Sequence, residues 1–504
     1  MSGLLLIASL LGTLATDSVL FAGEIAYRQD KDGSLAPAMP YPAFIQRSMN
    51  FVLNDLDNGW AKGNCAKDEA GNLLPAYLGY ALADEQHRLG VAPYWANQDV
   101  VFPASHHAGF MRFFLAYWRY TGNADCLSRA RQLADWNLAH RTPPDCRYGS
   151  LFYSTYHLSK PTADADGDAI MTDKPALMAL ALLELQGATG EQKYRQGAVA
   201  VAATLARTQL PAGNWAFRVR PKSGEVREAY TSSAIYAALL FEELELLGDK
   251  QWREPKQKAL HWILEGPAKD MLWNGFYEDI GKAPQNRTNY DCIDTARWLV
   301  AHRAGDPSYL PLARKLHDWT AAEFVERNKA WAPAEGLREQ KVCFYTMGGH
   351  TAHWALLLGD LYAATGEESF CRRALDACAL VTYWMREDSV NMVGPNWMHG
   401  DQVWFSCHLG TALLVYEALC RFPEKLSDGK PHLVAAGGAV RDVQYAAGSL
   451  RYTALAAGRD TLLLPAKPRV QVAGTLLDDS KCVYDAATTV CRVDRPAGSV
   501  EIGW

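Results

Sequence analysis

Tyr362-Ala363-Ala364-Thr365-Gly366 closes one apolar run and opens another, Glu367–Met385, whose charges lie on one side. This predicts two helices joined by a short turn. A Gly just past a helix end adopts the left-handed C-cap at little cost. A turn this short sends the next helix back antiparallel. The phrase recurs. Ala116-Tyr117-Trp118-Arg119-Tyr120-Thr121-Gly122 leads into Asn123–His140, and Leu185-Gln186-Gly187-Ala188-Thr189-Gly190 into Glu191–Thr208. Glu245-Leu246-Leu247-Gly248-Asp249 leads into Lys250–Leu264, and Ala301-His302-Arg303-Ala304-Gly305-Asp306 into Pro307–Glu326. The turns lie about 55–70 residues apart, wider than the roughly 20–50-residue period of common solenoids. That spacing leaves room for a helix pair and a long connecting segment.

The two helices of each pair differ. Those before the turn are nearly all apolar, as in Ala176–Leu183 and Ala234–Leu240, whereas those after it are amphipathic, as in Tyr309–Phe324. An all-round apolar helix is buried, and an amphipathic one faces water on one side. The pattern therefore predicts an inner ring at about 104–120, 172–188, 231–247, 289–303, 348–364 and 405–420. Outer partners fall at about 41–56, 123–140, 191–208, 252–265, 307–327 and 367–386. The fold class is mainly α: an (α/α)6 toroid with a small C-terminal β-sandwich-like domain. An open superhelix satisfies the same repeat.

After about residue 428 the periodicity changes from 3.6 to 2. Val443-Gln444-Tyr445, Leu450-Arg451-Tyr452-Thr453, Thr461–Leu464, Val470-Gln471-Val472 and Val500-Glu501-Ile502 are short β-prone runs between Gly, Asp and Pro. At the other end, Leu4–Leu11 is a short apolar run followed by small residues near Ala15 and Ala22-Gly23. It has the form of a secretory signal, although no Lys or Arg precedes it. The expected organisation is a signal peptide at 1–23, a toroid catalytic domain at 24–428 and a small all-β domain at 429–504. A secreted or periplasmic location follows from the first of these.

The chain has 504 residues, 49% of them hydrophobic and 21% charged, which excludes global disorder. Its formal charge of −6 and lack of a basic run argue against a nucleic-acid partner. HExxH, P-loop, GxGxxG and GxSxG motifs are absent, which argues against zincin, P-loop, Rossmann and α/β-hydrolase chemistry. The eleven cysteines include no CxxC pair; Cys482 and Cys491, flanking an expected hairpin, are the best disulfide candidates.

In the expected ring, the long segments from each outer helix to the next inner one emerge on a single face, together with the inner-helix N-termini. Long loops on a rigid scaffold carry function. These segments supply His106, His107, Tyr153, Asp173-Lys174, Arg218, Glu228, Tyr230, Arg287, Asn289, Tyr290, Tyr345, His350, His353, Trp397 and His399. Of the 16 tryptophans, Trp118, Trp136, Trp262 and Trp319 fall within helices and read as packing. Trp95, Trp215, Trp273 and Trp397 fall on the long segments, where rings can stack on sugars.

The hairpin rhythm, the aromatic interhelical segments and the C-terminal β unit resemble the (α/α)-toroid carbohydrate-active enzymes, among them polysaccharide lyases and unsaturated-glucuronyl hydrolases. The resemblance spans about 40–504, is architectural, and implies a polysaccharide or oligosaccharide substrate. Local chemistry then favours a polysaccharide lyase that cleaves a uronate glycan by β-elimination. That reaction needs a carboxylate-neutralising donor, a base and an acid. Arg287, Asn289, Tyr290 and His350 supply those types as catalytic candidates. His106, His107, Tyr153, Arg218, Glu228, Tyr230, Tyr345, Trp397 and His399 are the substrate-binding candidates.

A glycoside hydrolase is the alternative. It needs two carboxyls about 5–9.5 Å apart, from Glu228, Glu278, Asp279, Asp291 and Asp401. A non-catalytic glycan-binding toroid is the third reading. No cofactor is expected. A calcium or other divalent ion stays open at Asp164-Ala165-Asp166-Gly167-Asp168, which departs from the EF-hand spacing. It stays open also at His350 and His353, one helical turn apart.

Overall fold

Gly122, Gly190 and Gly366 each follow the last residue of a helix with φ of 75°, 79° and 71°, the left-handed caps that the repeat requires. The computed structural model describes residues 25–55, 65–67, 73–77, 81–83, 89–90, 100–157, 169–229, 233–273, 288–341, 345–387, 389–395, 402–403 and 407–504. The expected signal peptide and the Asp164–Asp168 loop lie outside the described residues.

Among the described residues there are twelve helices of ten residues or more. They are α1 (Tyr41–Asn50), α2 (His106–Thr121), α3 (Ala124–Ala139), α4 (Pro175–Thr189), α5 (Gln192–Thr208) and α6 (Ala234–Leu246). They continue as α7 (Arg253–Glu265), α8 (Tyr290–Ala301), α9 (Tyr309–Phe324), α10 (Gly348–Thr365), α11 (Glu368–Thr382) and α12 (His408–Leu419). Helices α2, α4, α6, α8 and α10 each pack on the helix that follows them, and α1 packs on α12. The inner helices touch in the order α2, α4, α6, α8, α10, α12, and α12 packs back on α2. This contact closes the ring and rules out the open superhelix. At the seam Gly109 and Gly410 bring the α2 and α12 backbones together; a Cβ on Gly109 would lie 3.6 Å from Gly410 Cα.

The long segments are tied to one another by short strands. Val100–Val101 pairs with Tyr156–His157, and Ile170–Met171, Arg218–Val219 and Val226–Glu228 form a three-stranded ribbon. Among the described residues no helix is long and apolar enough to cross a membrane.

The C-terminal unit consists of β1 (His432–Ala435), β2 (Val440–Ala446), β3 (Ser449–Ala454), β4 (Gly458–Leu463), β5 (Arg469–Val472), β6 (Thr475–Leu476), β7 (Cys482–Asp485), β8 (Val490–Arg495) and β9 (Gly498–Gly503). Two antiparallel sheets, ordered β1-β4-β8-β7 and β2-β3-β9-β5-β6, form it. It docks beneath the C-terminal ends of the inner helices, away from the long segments. His432 stacks on Tyr120 at 3.7 Å, the Tyr416 hydroxyl donates to Val434 O (2.6 Å), and Arg441 Nε donates to Gly187 O (2.8 Å). A Cβ on Gly122 would meet the Tyr445 ring at 2.7 Å, so that turn needs Gly both for its φ and for the docking contact.

Arg495 holds Asp460 with two hydrogen bonds, 2.6 and 2.8 Å, and Tyr452 from the other sheet donates to the same carboxylate. Both charged side chains are 0% exposed. Removing one partner of such a pair leaves a buried charge uncompensated, at about 3–5 kcal/mol. Arg495→Ala is therefore expected to destabilise the β unit by about 3–5 kcal/mol in denaturant titrations. Arg451→Ala, which breaks the exposed Arg451–Glu501 pair, should cost less than about 1 kcal/mol.

Candidate functional site

Asn289 sits at the N-cap of α8 and is fully buried. Its Nδ2 donates to Arg338 O (2.6 Å) and Glu339 O (2.8 Å). An amide nitrogen has two hydrogens, both used here, so the carboxamide orientation is set and Oδ1 can only accept. It lies 2.9 Å from His350 Nδ1. His350 therefore carries its proton on Nδ1 and keeps the lone pair on Nε2. Burial pushes its pKa well below 6.5, with the positive fields of His353 and Lys174 adding to the effect. At neutral pH His350 is an unprotonated, oriented base.

Tyr290, the first residue of α8, packs its ring at 4.3 Å from His350 and 4.9 Å from His353. Its hydroxyl lies over the first turn of α10, where a Cβ on Gly349 would approach it to 3.7 Å. His353 Nε2 faces Asp294 Oδ1 at 2.9 Å, and Arg297 binds the same oxygen at 3.2 Å. Burial alone would raise the Asp294 carboxyl, but His353 and Arg297 together outweigh it and hold the pKa at about 2. The ionised Asp294 thus accepts a hydrogen bond from His353 Nε2–H. His353 Nδ1 is buried and has no hydrogen-bond partner among the described residues. Tyr236, on α6, stays a phenol: burial first, then the charges of Asp294 and Asp291, raise its pKa well above 10.

Below this cluster the ring interior is ionic. Arg112 of α2 bonds Glu184 of α4 and Glu417 of α12, each at 2.8 Å. Arg297 of α8 bonds Asp360 of α10 at 2.9 Å, and Arg421, just past α12, bonds it at 2.8 Å. Arg112 and Glu184 each keep 36% of their side-chain surface accessible.

The structure brings together Asn289, Tyr290 and His350 of the expected catalytic set. Arg287, Tyr230, Trp397 and His399 lie outside the described residues, as do Glu278, Asp279 and Asp401. The remaining candidates are dispersed. His107 turns to the outer helix α3, with Nδ1 3.2 Å from Asn137 Oδ1 and its ring edge-on to Trp136. His106 packs on Phe102, Tyr153 is buried beside Tyr156, and Tyr345 is half-buried. Arg218 and Glu228 face each other across the ribbon at 4.0 Å, each partly answering the other's charge.

Trp215 and Trp273, placed on the open face by sequence, are instead core residues; Trp215 Nε1 donates to Leu205 O at 2.8 Å. Trp118 and Trp136 are buried as expected. Among the described residues no group of three or more His, Cys, Asp or Glu is arranged to hold a metal ion. Sequence reasoning did not assign Tyr236, Asp294 or Arg297 to the site. The available signal was an ionisable residue inside an otherwise apolar inner helix.

No protein-family model matches the sequence, and no curated protein matches it. Solved structures do. A D-mannose isomerase aligns over 76% of this chain and 99% of its own, with a TM-score of 0.56 and 13% identity. The fold is that of the (α/α)6 toroid enzymes. A family 76 glycoside hydrolase from a bovine Bacteroides thetaiotaomicron strain aligns over 77% and 78%, with a TM-score of 0.54 and 12% identity. Cellobiose 2-epimerase from Spirochaeta thermophila DSM 6192 aligns over 78% and 100%, with a TM-score of 0.53 and 14% identity.

Another buried histidine contributes to the acid behaviour. His408 accepts from Asn391 N–H through Nδ1 and donates to Ser48 O through Nε2, each at 2.9 Å. Burial lowers its pKa from 6.5 to about 4. A histidine held neutral in the fold but free to charge when unfolded supports stability above about pH 6.5, and that support is lost as the pH falls through its folded pKa. Stability should thus be level near neutrality and fall between about pH 6.5 and 4, by about 3 kcal/mol for His408 alone. His350 adds to the slope, and denaturant titrations across that range measure it.

Proposed function

We propose that the protein is a carbohydrate-active enzyme that moves a proton at a sugar carbon next to a carbonyl, with His350 as the base. One observation carries the reading: an unprotonated imidazole whose tautomer is set by Asn289, beside a second imidazole anchored to an ionised carboxylate. Proton abstraction next to a carbonyl needs an unprotonated, oriented base and a donor for the developing enolate oxygen. His350 Nε2 takes the proton. The Tyr290 hydroxyl, whose ring packs beside both imidazoles, is the donor for that oxygen. Asp294 keeps His353 oriented.

Both imidazoles belong to α10, one turn apart, and both flank Tyr290. They therefore address a bound sugar from one side. Transfer on one face suits aldose–ketose isomerisation, which returns the proton to the neighbouring carbon on that face. The D-mannose isomerase and cellobiose 2-epimerase likenesses are in keeping with such chemistry.

β-Elimination from a uronate glycan is the second reading. It uses the same base, and Lys174, whose positive charge acts on His350, is its candidate carboxylate partner. The apolar run Leu4–Leu11 supports action outside the cytoplasm in either case.

Incubation with aldoses, ketoses and their short oligosaccharides in D2O separates the readings. Isomerisation places solvent deuterium next to the carbonyl, whereas elimination gives an ultraviolet-absorbing product from uronate polymers. New reducing ends without either signal would sink both and favour hydrolysis. His350→Ala should lower kcat by about 10²–10⁴-fold, and Asn289→Ala should shift the acidic limb of the pH profile while retaining part of the rate.

A further inference from the structure

Among the described cysteines, Cys482 on β7 and Cys491 on β8 have their sulfurs 3.5 Å apart. The strands are antiparallel neighbours, with Cys482 opposite Val493 and Tyr484 opposite Cys491, so the two thiols share one sheet face on a diagonal. Their surroundings differ. Cys491 is fully buried between β4 and β7, where burial, and then the adjacent Cys482 sulfur, push its thiol pKa up. Cys482 stands on the edge strand of its sheet and lines a cleft of about 280 Å³ with Lys467, Arg469, Leu477 and Asp479. Lys467 pairs with Asp479 at 2.9 Å, leaving the Arg469 charge at the same cleft. Cys482 is 8% exposed and Cys491 0%, so the cleft reaches only the Cys482 sulfur; the sulfur that a small disulfide can reach is the one attacked first, and its enclosed neighbour resolves.

We propose that Cys482 and Cys491 are a thiol–disulfide exchange site on the β unit, which takes a small anionic disulfide such as glutathione disulfide. The Cys482 thiolate attacks one sulfur of the small disulfide. A protein–glutathione S–S bond forms, the original S–S bond breaks, and one glutathione leaves as a thiol. The Cys491 thiolate then attacks the Cys482 sulfur and releases the second glutathione. Two protein thiols are oxidised to one disulfide and one small disulfide is reduced to two thiols, with the protein's two protons passing to the leaving thiolates. The product staples β7 to β8 across the turn between them. The site lies under the short-turn side of the ring, so it is independent of the sugar chemistry above.

The test uses the full chain, incubated with glutathione disulfide, alkylated and mapped by peptide mass. The expected result is a Cys482–Cys491 linked pair, lighter by two hydrogens, with both residues unalkylated. Cys491→Ser should trap one glutathione on Cys482, and Cys482→Ser should leave Cys491 unmodified. Arg469→Glu, which leaves the sulfurs in place, should slow adduct formation at least about threefold at low ionic strength. Full alkylation of both cysteines in the wild-type chain, or equal adduct on Cys491 in Cys482→Ser, would overturn the proposal.

Discussion

Arg112 reaches two carboxylates at once, Glu184 on one side and Glu417 on the other, and so joins three inner helices at the ring's seam. Arg297, Asp360 and Arg421 do the same across α8, α10 and α12. Six apolar helices placed side by side could otherwise close over a dry core. Charges pointing inward oppose that, because an ion taken from water into an apolar interior costs more than the packing around it returns unless it is paired, and here each pairs across the ring. The outcome is a ring whose centre is ionic, with its apolar surface turned outward against α3, α5, α7, α9 and α11. The candidate site rests on that floor.

The candidate site extends the same network. Asp294 belongs both to the ionic interior, through Arg297, and to the site, through His353. Arg297 keeps Asp294 ionised, and Asp294 in turn orients His353. The neighbouring base is set differently, by a neutral amide whose own orientation comes from two backbone carbonyls of the segment before α10. One imidazole thus gains a nearby negative charge and the other is desolvated beside positive charge.

Much of this was legible from residue order. The Gly-capped turns and the contrast between all-apolar and amphipathic runs were enough to place the twelve helices to within a few residues. The change to period 2 marked the β unit. Asn289, Tyr290 and His350 were legible because they stand at helix starts on the long-segment side. His107 stands at such a start too, yet faces outward, because one residue along a helix rotates the side chain by about 100°. Trp215 and Trp273 misled for a related reason: a long segment is partly a lining, and its largest rings fill the gap beneath it.

Local order along the chain therefore determined the elements and their pairing into hairpins. It did so because capping, turn length and hydrophobic period act over a few residues. Only the tertiary structure decided that the ring closes, that the inward charges pair across it, and which of several histidines share one pocket. Those facts rest on contacts between residues 56 to more than 300 positions apart, as in Trp298–Glu242 and Arg112–Glu417. No local signal records which of two faces a polar residue on a buried helix will take. The thiols of Cys482 and Cys491 are the intermediate case: their hairpin was readable, but their shared sheet face depended on register.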